Sequence, residues 1–207
     1  MTAGGENTTE FRQREKQRVR RPPLDAIHLS DCVLLPTREH LLDIMPRNGY
    51  VAEIGVAFGD FSAEIIKRAH PQKLYLVDAW EMDRYSAGLA AVRHRFEKEL
   101  SNDMIHLVQG YSTVAMSTLP DSALDWIYID TNHSHDTTFA ELRLGATKVK
   151  RNGLIAGHDF CVGNIIAPVI YGVIEACVRF CQEEEWKFRY MTMEPHGHWS
   201  FCLERLI

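Results

Sequence analysis

Tyr50-Val-Ala-Glu-Ile-Gly-Val-Ala-Phe-Gly-Asp-Phe-Ser62 decides how this chain reads. Val51, Ala52, Ile54 and Val56 form the short apolar run of a strand covered on both faces. Gly55 and Gly59 bracket a turn, where a sharp bend and close backbone approach need residues without a Cβ. Asp60 and Ser62 suit the opening of a helix, and Phe61, Ile65, Ile66 and Ala69 recur at helical spacing. Strand, glycine turn and helix therefore follow one another within some twenty residues.

The dinucleotide fingerprint G-x-G-x-x-G, which seats a pyrophosphate on the helix N-terminus, is absent. That argues against a nicotinamide enzyme. The order is instead Glu53-x-Gly55-x-x-x-Gly59. A carboxylate beside the turn suits a cationic ligand better than a pyrophosphate. Here the sequence resembles the class I S-adenosylmethionine-dependent methyltransferases, whose first motif is Asp/Glu-x-Gly-x-x-x-Gly. The motif alone also fits an ordinary strand-to-helix turn, so the remainder of the chain has to decide.

With 207 residues the chain suits one domain with a sizeable core. No apolar run is long enough to span a bilayer, and the N-terminal residues lack the apolar core of a signal peptide. The formal charge of −5 gives no reason to expect nucleic acid as a partner. Five cysteines without a C-x-x-C pair read as reduced thiols, mostly core fillers, in a cytoplasmic protein. Residues 1–22 are polar and basic up to Pro22-Pro23 and read as a disordered tail. Residues 23–48 read as an N-terminal helical layer, with Thr37 capping a helix over 38–45. That layer either lines a substrate cleft or forms a homodimer contact. Residues 23–207 then make a single domain.

Further strands are expected at 74–77, 104–108, 124–130 and 154–160, with helices at 84–100, 114–119, 136–150 and 165–185. Five strands alternating with helices predict an α/β, Rossmann-like doubly wound parallel sheet with helices on both faces. Strands at 186–193 and 199–203 add a C-terminal hairpin, giving the seven-stranded methyltransferase layout. Right-handed crossovers place every parallel strand's C-terminal end on one edge, where ligands of open α/β sheets bind. Glu53, Asp78, Gly110, Asp130, His133 and Asp159 all stand at such ends. If the first hairpin strand runs parallel to the others, His196 and His198 join His133, His135 and His158 there. His94 and His106 read as structural.

Asp78 lies roughly 20 residues past the glycine turn, well placed for a ribose diol. Trp80 beside it either covers a ligand or fills the core. Ile129-Asp-Thr-Asn-His-Ser134 and Gly157-His-Asp-Phe160 resemble a small-molecule branch of the methyltransferases, the macrolide-sugar O-methyltransferases and cephalosporin-hydroxylase-like proteins. That resemblance covers about residues 50–160. It implies a cofactor, S-adenosylmethionine, held at its methionine end by Glu53, Gly55 and Gly59 with Phe61 and Ser62 beside them. It likewise implies Asp78, Ala79 and Trp80 at the ribose, Gly110 and Tyr111 flanking the adenine, and Asp130 between cofactor and acceptor.

Several relatives hold a divalent metal with an acid after the fourth strand and two after the fifth. Asp130 and Asp159 match two of these, but His158 takes the other place. Imidazole suits zinc, iron or nickel rather than magnesium, so a softer metal or none is expected. Without metal, His133 is the first choice of general base, with Asp130 and Asp159 beside it. The expected reaction is methyl transfer to a hydroxyl or other heteroatom of a small molecule, a sugar or natural-product intermediate. The rival reading is a non-catalytic cofactor-binding partner subunit, which would not need the histidines.

Overall fold

The structure, a computed structural model, describes residues 8–18, 23–166 and 168–206. Its elements in order are α1 (Thr9–Arg18), β1 (Val33–Leu35), α2 (Arg38–Ile44), β2 (Tyr50–Ile54), α3 (Asp60–Ala69), β3 (Lys73–Asp78), α4 (Gly88–Arg95), α5 (Glu97–Ser101), β4 (Ile105–Gln109), α6 (Ser112–Ser117), β5 (Leu124–Ile129), α7 (His135–Lys148), β6 (Val149–Gly157), β7 (Gly163–Asn164), β8 (Val169–Ile170), α8 (Val173–Glu184), β9 (Trp186–Thr192) and β10 (Phe201–Arg205). The large sheet runs in the order β1-β9-β10-β6-β5-β2-β3-β4. β10 is antiparallel to both β6 and β9, and the other paired strands are parallel. Every strand but β10 therefore ends on the same edge.

Period-two alternation divides the strand side chains between two cores. In β5, Ile127 and Ile129 pack with Phe139, Leu142, Cys177 and Phe180 of α7 and α8, joined by Leu124 from before the register shift. Trp126 and Tyr128 turn to the other face, toward Leu41, Leu42, Ile65 and Val92 of α2, α3 and α4. Glu53 stands between Ala52 and Ile54, both of which belong to the α7/α8 core. Alternation thus aims Glu53 at the α2/α3 side, where it meets Ser62 of α3. The same rule that builds the core delivers a carboxyl to the ligand edge.

The five parallel strands and the closing hairpin agree with the sequence pattern. Five local expectations do not. Val33–Leu35 is an eighth strand on the far edge, not part of a helical layer. Its run is too short to show periodicity. The expected helix over 84–100 breaks at Phe96, whose φ of −115° leaves the helical region while its ring is buried. α8 begins at Val173, because Gly163–Asn164 and Val169–Ile170 pair as the small β7–β8 hairpin ahead of it. Thr9–Arg18, expected as disordered tail, is a helix with no buried residue, and Arg18 reaches Asp136 at 3.3 Å. The remainder of the expected tail, residues 1–7 and 19–22, lies outside the described residues. β6 starts at Val149, with a register shift against β5, and ends at Gly157, so His158 and Asp159 follow the strand.

Lys148 closes α7 against the α6–β5 connection. Its buried ammonium donates to Ser117 O (3.1 Å), Leu119 O (2.8 Å) and Asp121 Oδ1 (2.6 Å). Replacing it with methionine removes the donor from the buried Leu119 carbonyl and from the part-buried Ser117 carbonyl. Lys148→Met should lower unfolding free energy by about 2–4 kcal/mol in urea titration. A loss under about 0.5 kcal/mol would show that these contacts contribute little.

Candidate active site

The turn after β2 is built by close approach. Gly55 has φ +93°, and a Cβ there would lie 1.9 Å from Asp130 O. Its N–H donates to Val77 O at 2.8 Å. Gly59 has φ +80°, and its Cβ would press on the Phe96 ring at 2.8 Å. Ala57 and Trp80, although not glycines, also adopt positive φ, +50° each. Such strain persists only where surroundings impose it. Asp78 imposes it here. Its Oδ2 accepts from Val56 N (2.8 Å) and Ala57 N (2.9 Å), and its Oδ1 from Trp80 N (2.8 Å). An ionised carboxylate offers about four lone-pair sites, so one remains for a ligand hydroxyl. The Trp80 indole N–H donates to Ala57 O at 2.8 Å, and the ring is buried. Of the two readings of Trp80, the structure shows a core residue that braces the glycine turn.

Glu53 is 1% exposed and accepts from the Ser62 hydroxyl. Burial pushes its carboxyl up to about 8. The Ser62 hydrogen bond opposes the shift, Asp130 and Asp78 add to it, and Arg38 works against it. Arg38, first residue of α2, was not singled out from sequence. β1 runs parallel to β9, so its end and the start of α2 lie on the ligand edge. The Arg38 guanidinium lies over the Phe61 ring at 4.7 Å, and Phe61 packs on Tyr128 at 4.3 Å. Its positive charge also acts on Asp130, Tyr128 and His158. The Arg38 backbone N–H donates to the buried Glu194 at 2.7 Å.

Beyond β5 and β6 the acids and histidines converge. His133 Nε2 lies 3.1 Å from Asp159 Oδ2, and its ring rests on Tyr171 at 4.5 Å. His133 and Asp159 both have positive φ, +61° and +57°. His158 Nδ1 stands 3.3 Å from Asp159 Oδ1 and 3.7 Å from Asp130 Oδ2. His198 Nδ1 lies 2.5 Å from Asp159 Oδ1, and Cys161 Sγ is 3.6 Å from the same nitrogen. Burial opposes the Asp159 charge, yet hydrogen bonds from His158 and His198 and the charge of His133 hold its carboxyl down at about 2. Asp130 is raised by burial and by Asp159, against His158 and His133. Burial lowers His133, although Asp130 and Asp159 oppose it. Burial also opposes charge on His158, but the hydrogen bond to Asp159 and the charges of Asp130 and Asp159 outweigh it.

On the β3–β4 side, Gly110 N donates to Asp78 O at 2.9 Å, and Gln109 reaches Ala79 O at 3.3 Å. Tyr111 is exposed and hydrogen-bonded to Glu81. Glu141 of α7 is fully buried and accepts from Thr131 at 2.8 and 3.0 Å, tying that loop to the helix. Burial lifts it to about 7, against hydrogen bonds from Ser112 and Thr131. Its place in a polar sequence stretch hid it.

The structure thus brings together Glu53, Gly55, Gly59, Phe61, Ser62, Asp78, Ala79, Trp80, Gly110, Asp130, His133, His158 and Asp159, with Tyr111 on the rim. His135 instead pairs with Asp136 and stacks on Phe139. His196 is exposed and accepts from His198 N. His106 pairs with Asp103 and Lys73 and stacks on Tyr75. Cys161, read as a core filler, is only partly buried, unlike Cys177, Cys181 and Cys202.

This edge gathers a glycine turn and strand-end acids on a Rossmann-like parallel sheet. Residues 52–160 match the family model described as Methyltransferase domain, more than half of the chain, and the chain belongs to that family. Membership supports S-adenosylmethionine as its cofactor, and Gly55, whose Cβ would collide with Asp130 O, fits the close backbone approach it needs. No curated protein matches the chain. Among solved structures, the pyocyanin biosynthetic protein PhzM is similar at TM-score 0.62 and 11% identity, over 81% of this chain and 53% of that one. This chain therefore spans about half of PhzM. An S-adenosylmethionine-dependent methyltransferase from Aquifex aeolicus gives TM-score 0.59 at 12% identity, covering 93% and 97%. SMU.1697c from Streptococcus mutans, solved in complex with S-adenosylhomocysteine, gives 0.59 at 12%, covering 82% and 96%. At these identities the likeness is one of fold. No helix among the described residues is long and apolar enough to cross a membrane.

Glu53 makes a pH prediction. Its folded value of about 8 lies above its ordinary 4.5. The native state keeps a proton that the unfolded chain releases, so the associated stability is complete below pH 4.5 and lost as pH rises toward 8. Glu53→Gln should remove a slope of about 1.4 kcal/mol per pH unit across that window, while Glu141 keeps its own slope. Urea titrations from pH 5 to 8 that gave the same slope for variant and parent would show that Glu53 ionises freely.

Proposed function

We propose that the protein transfers a methyl group from S-adenosylmethionine to a hydroxyl or other heteroatom of a small molecule. The observation that supports this reading most is the placement of a His133–Asp159 pair beside Asp130, at the same edge as the glycine turn. A cofactor-binding subunit without turnover has no use for such a pair.

Bound S-adenosylmethionine supplies an electrophilic methyl group, and the chain's own residues do the rest. Glu53, Ser62, Phe61 and the backbone around Gly55 and Gly59 enclose the methionine end. Arg38, projecting over Phe61, takes the methionine carboxylate. Asp78 spends its remaining lone pair on the ribose, with Ala79 and Trp80 beneath it, and the Gly110–Tyr111 corner flanks the adenine. Asp159 accepts from His133 Nε2–H and leaves Nδ1 as the acceptor-facing base. His133 would take the acceptor's hydroxyl proton as the methyl group passes from the cofactor's sulfur to the acceptor oxygen. Positioning for in-line displacement and removal of that proton are the two contributions a protein can make. Burial lowers the His133 pKa, against Asp130 and Asp159, which favours the neutral ring that receives it.

His133→Ala should lower kcat about 10²–10⁴-fold and leave affinity for S-adenosylhomocysteine within a few-fold of the parent. Undiminished turnover of a genuine acceptor would rule out His133 as base. Asp78→Ala should weaken S-adenosylhomocysteine at least about tenfold in calorimetric titration, because hydrogen bonds to a charged group are lost. Unchanged affinity would remove Asp78 from the cofactor site.

A further inference from the structure

The family resemblance points to a hard, oxygen-coordinated cation, and the donors around Asp159 do not suit one. Magnesium takes near-ideal octahedral oxygen ligands, usually with several waters. The side chains next to Asp159 Oδ1 offer nitrogen and sulfur. His198 comes from the β9–β10 turn and reaches Asp159 Oδ1, and Cys161, from the segment after β6, brings its sulfur to the same His198 nitrogen. Among the described residues, Asp159, Cys161 and His198 place one donor atom each within 4.8 Å of one another.

We infer that Asp159, Cys161 and His198 bind a thiophilic divalent ion of the zinc or ferrous type, beside the methyl-transfer site. Metal–sulfur bonds of about 2.3 Å and metal–nitrogen bonds of about 2.0–2.1 Å set tetrahedral sulfur–nitrogen separations near 3.5 Å. Cys161 Sγ and His198 Nδ1 stand 3.6 Å apart. The 2.5 Å hydrogen bond between His198 and Asp159 must open by somewhat less than an ångström to admit the ion. Cys161 and His198 are partly exposed, which gives an ion a way in. Three protein ligands leave a fourth position for water or for an acceptor oxygen, as in open zinc sites.

Supporting contacts are already in place. His133 meets Asp159 at its other oxygen, Oδ2, at 3.1 Å, so base and ion engage opposite sides of one carboxylate. The His196 ring receives His198 N–H at 3.2 Å. Tyr171 lies between His133 and His198, with ring centroids 4.5 Å and 6.2 Å away. Outer contacts of this kind fix ligand orientation. The positive φ of Asp159, +57°, holds its carboxylate between the two histidines.

The experiment is cobalt titration of the metal-stripped full chain, followed by near-ultraviolet absorption. The site predicts a sulfur-to-cobalt charge-transfer band that saturates at one equivalent, is displaced by zinc and is unaffected by excess magnesium. Cys161→Ser should abolish that band, and His198→Ala should weaken zinc at least about tenfold. Retained S-adenosylhomocysteine binding by both variants establishes that they fold and separates this claim from the cofactor claim. If either variant loses it, Cys161→Ala or His198→Gln replaces that variant. Absence of the band in the parent, its persistence in Cys161→Ser, or unchanged zinc affinity in His198→Ala would overturn the inference.

Discussion

Three backbone N–H groups, from Val56, Ala57 and Trp80, converge on the Asp78 carboxylate. Those bonds lock the end of β3 to the turn after β2 and hold Ala57 and Trp80 in left-handed backbone conformations. Much else follows from that lock. With the turn fixed, Gly55 sits against Asp130 O, closer than any side chain would allow. Trp80 is drawn under the turn, where its ring fills the space that a Cβ on Gly88 would enter. Each partner is individually ordinary. Together they fix the glycine turn against the ends of β3 and β5.

Charge at this edge is arranged in pairs rather than spread out. Glu53, Asp130 and Asp159 are carboxyls at neighbouring strand ends. Left alone in a partly dry cleft they would raise one another's pKa, as Glu53 and Asp130 show. Asp159 escapes because three histidines surround it. The result is a neutral carboxyl by the glycine turn and an ionised one beside the histidines. One residue class is thus held in two contrasting environments along the same strand-end edge.

Most of the fold was legible because parallel strands read as uninterrupted apolar runs and their connecting helices carry clear periodicity. Glu53, Asp78, Asp130 and Asp159 were visible as acids closing such runs. The exceptions have physical causes. β1 has three residues, and no period can be read from three. Arg38 opens a short helix, and only the pairing of β1 with β9 carries the start of α2 to the ligand edge. Phe96 breaks a helix for the sake of tertiary packing against Gly59, which local propensity does not encode. Cys161 and His198 are 37 positions apart, and only the β9–β10 turn brings the histidine to both the Cys161 sulfur and Asp159. Glu141 lies in a polar stretch whose burial depends on the loop after β5.

The account stands or falls on the cofactor. Calorimetric titration of the full chain with S-adenosylhomocysteine, in parallel with reduced nicotinamide cofactor, addresses it directly. The structure predicts one-to-one binding of S-adenosylhomocysteine and no heat from the nicotinamide. Absence of S-adenosylhomocysteine binding, or binding of the nicotinamide in its place, would contradict it.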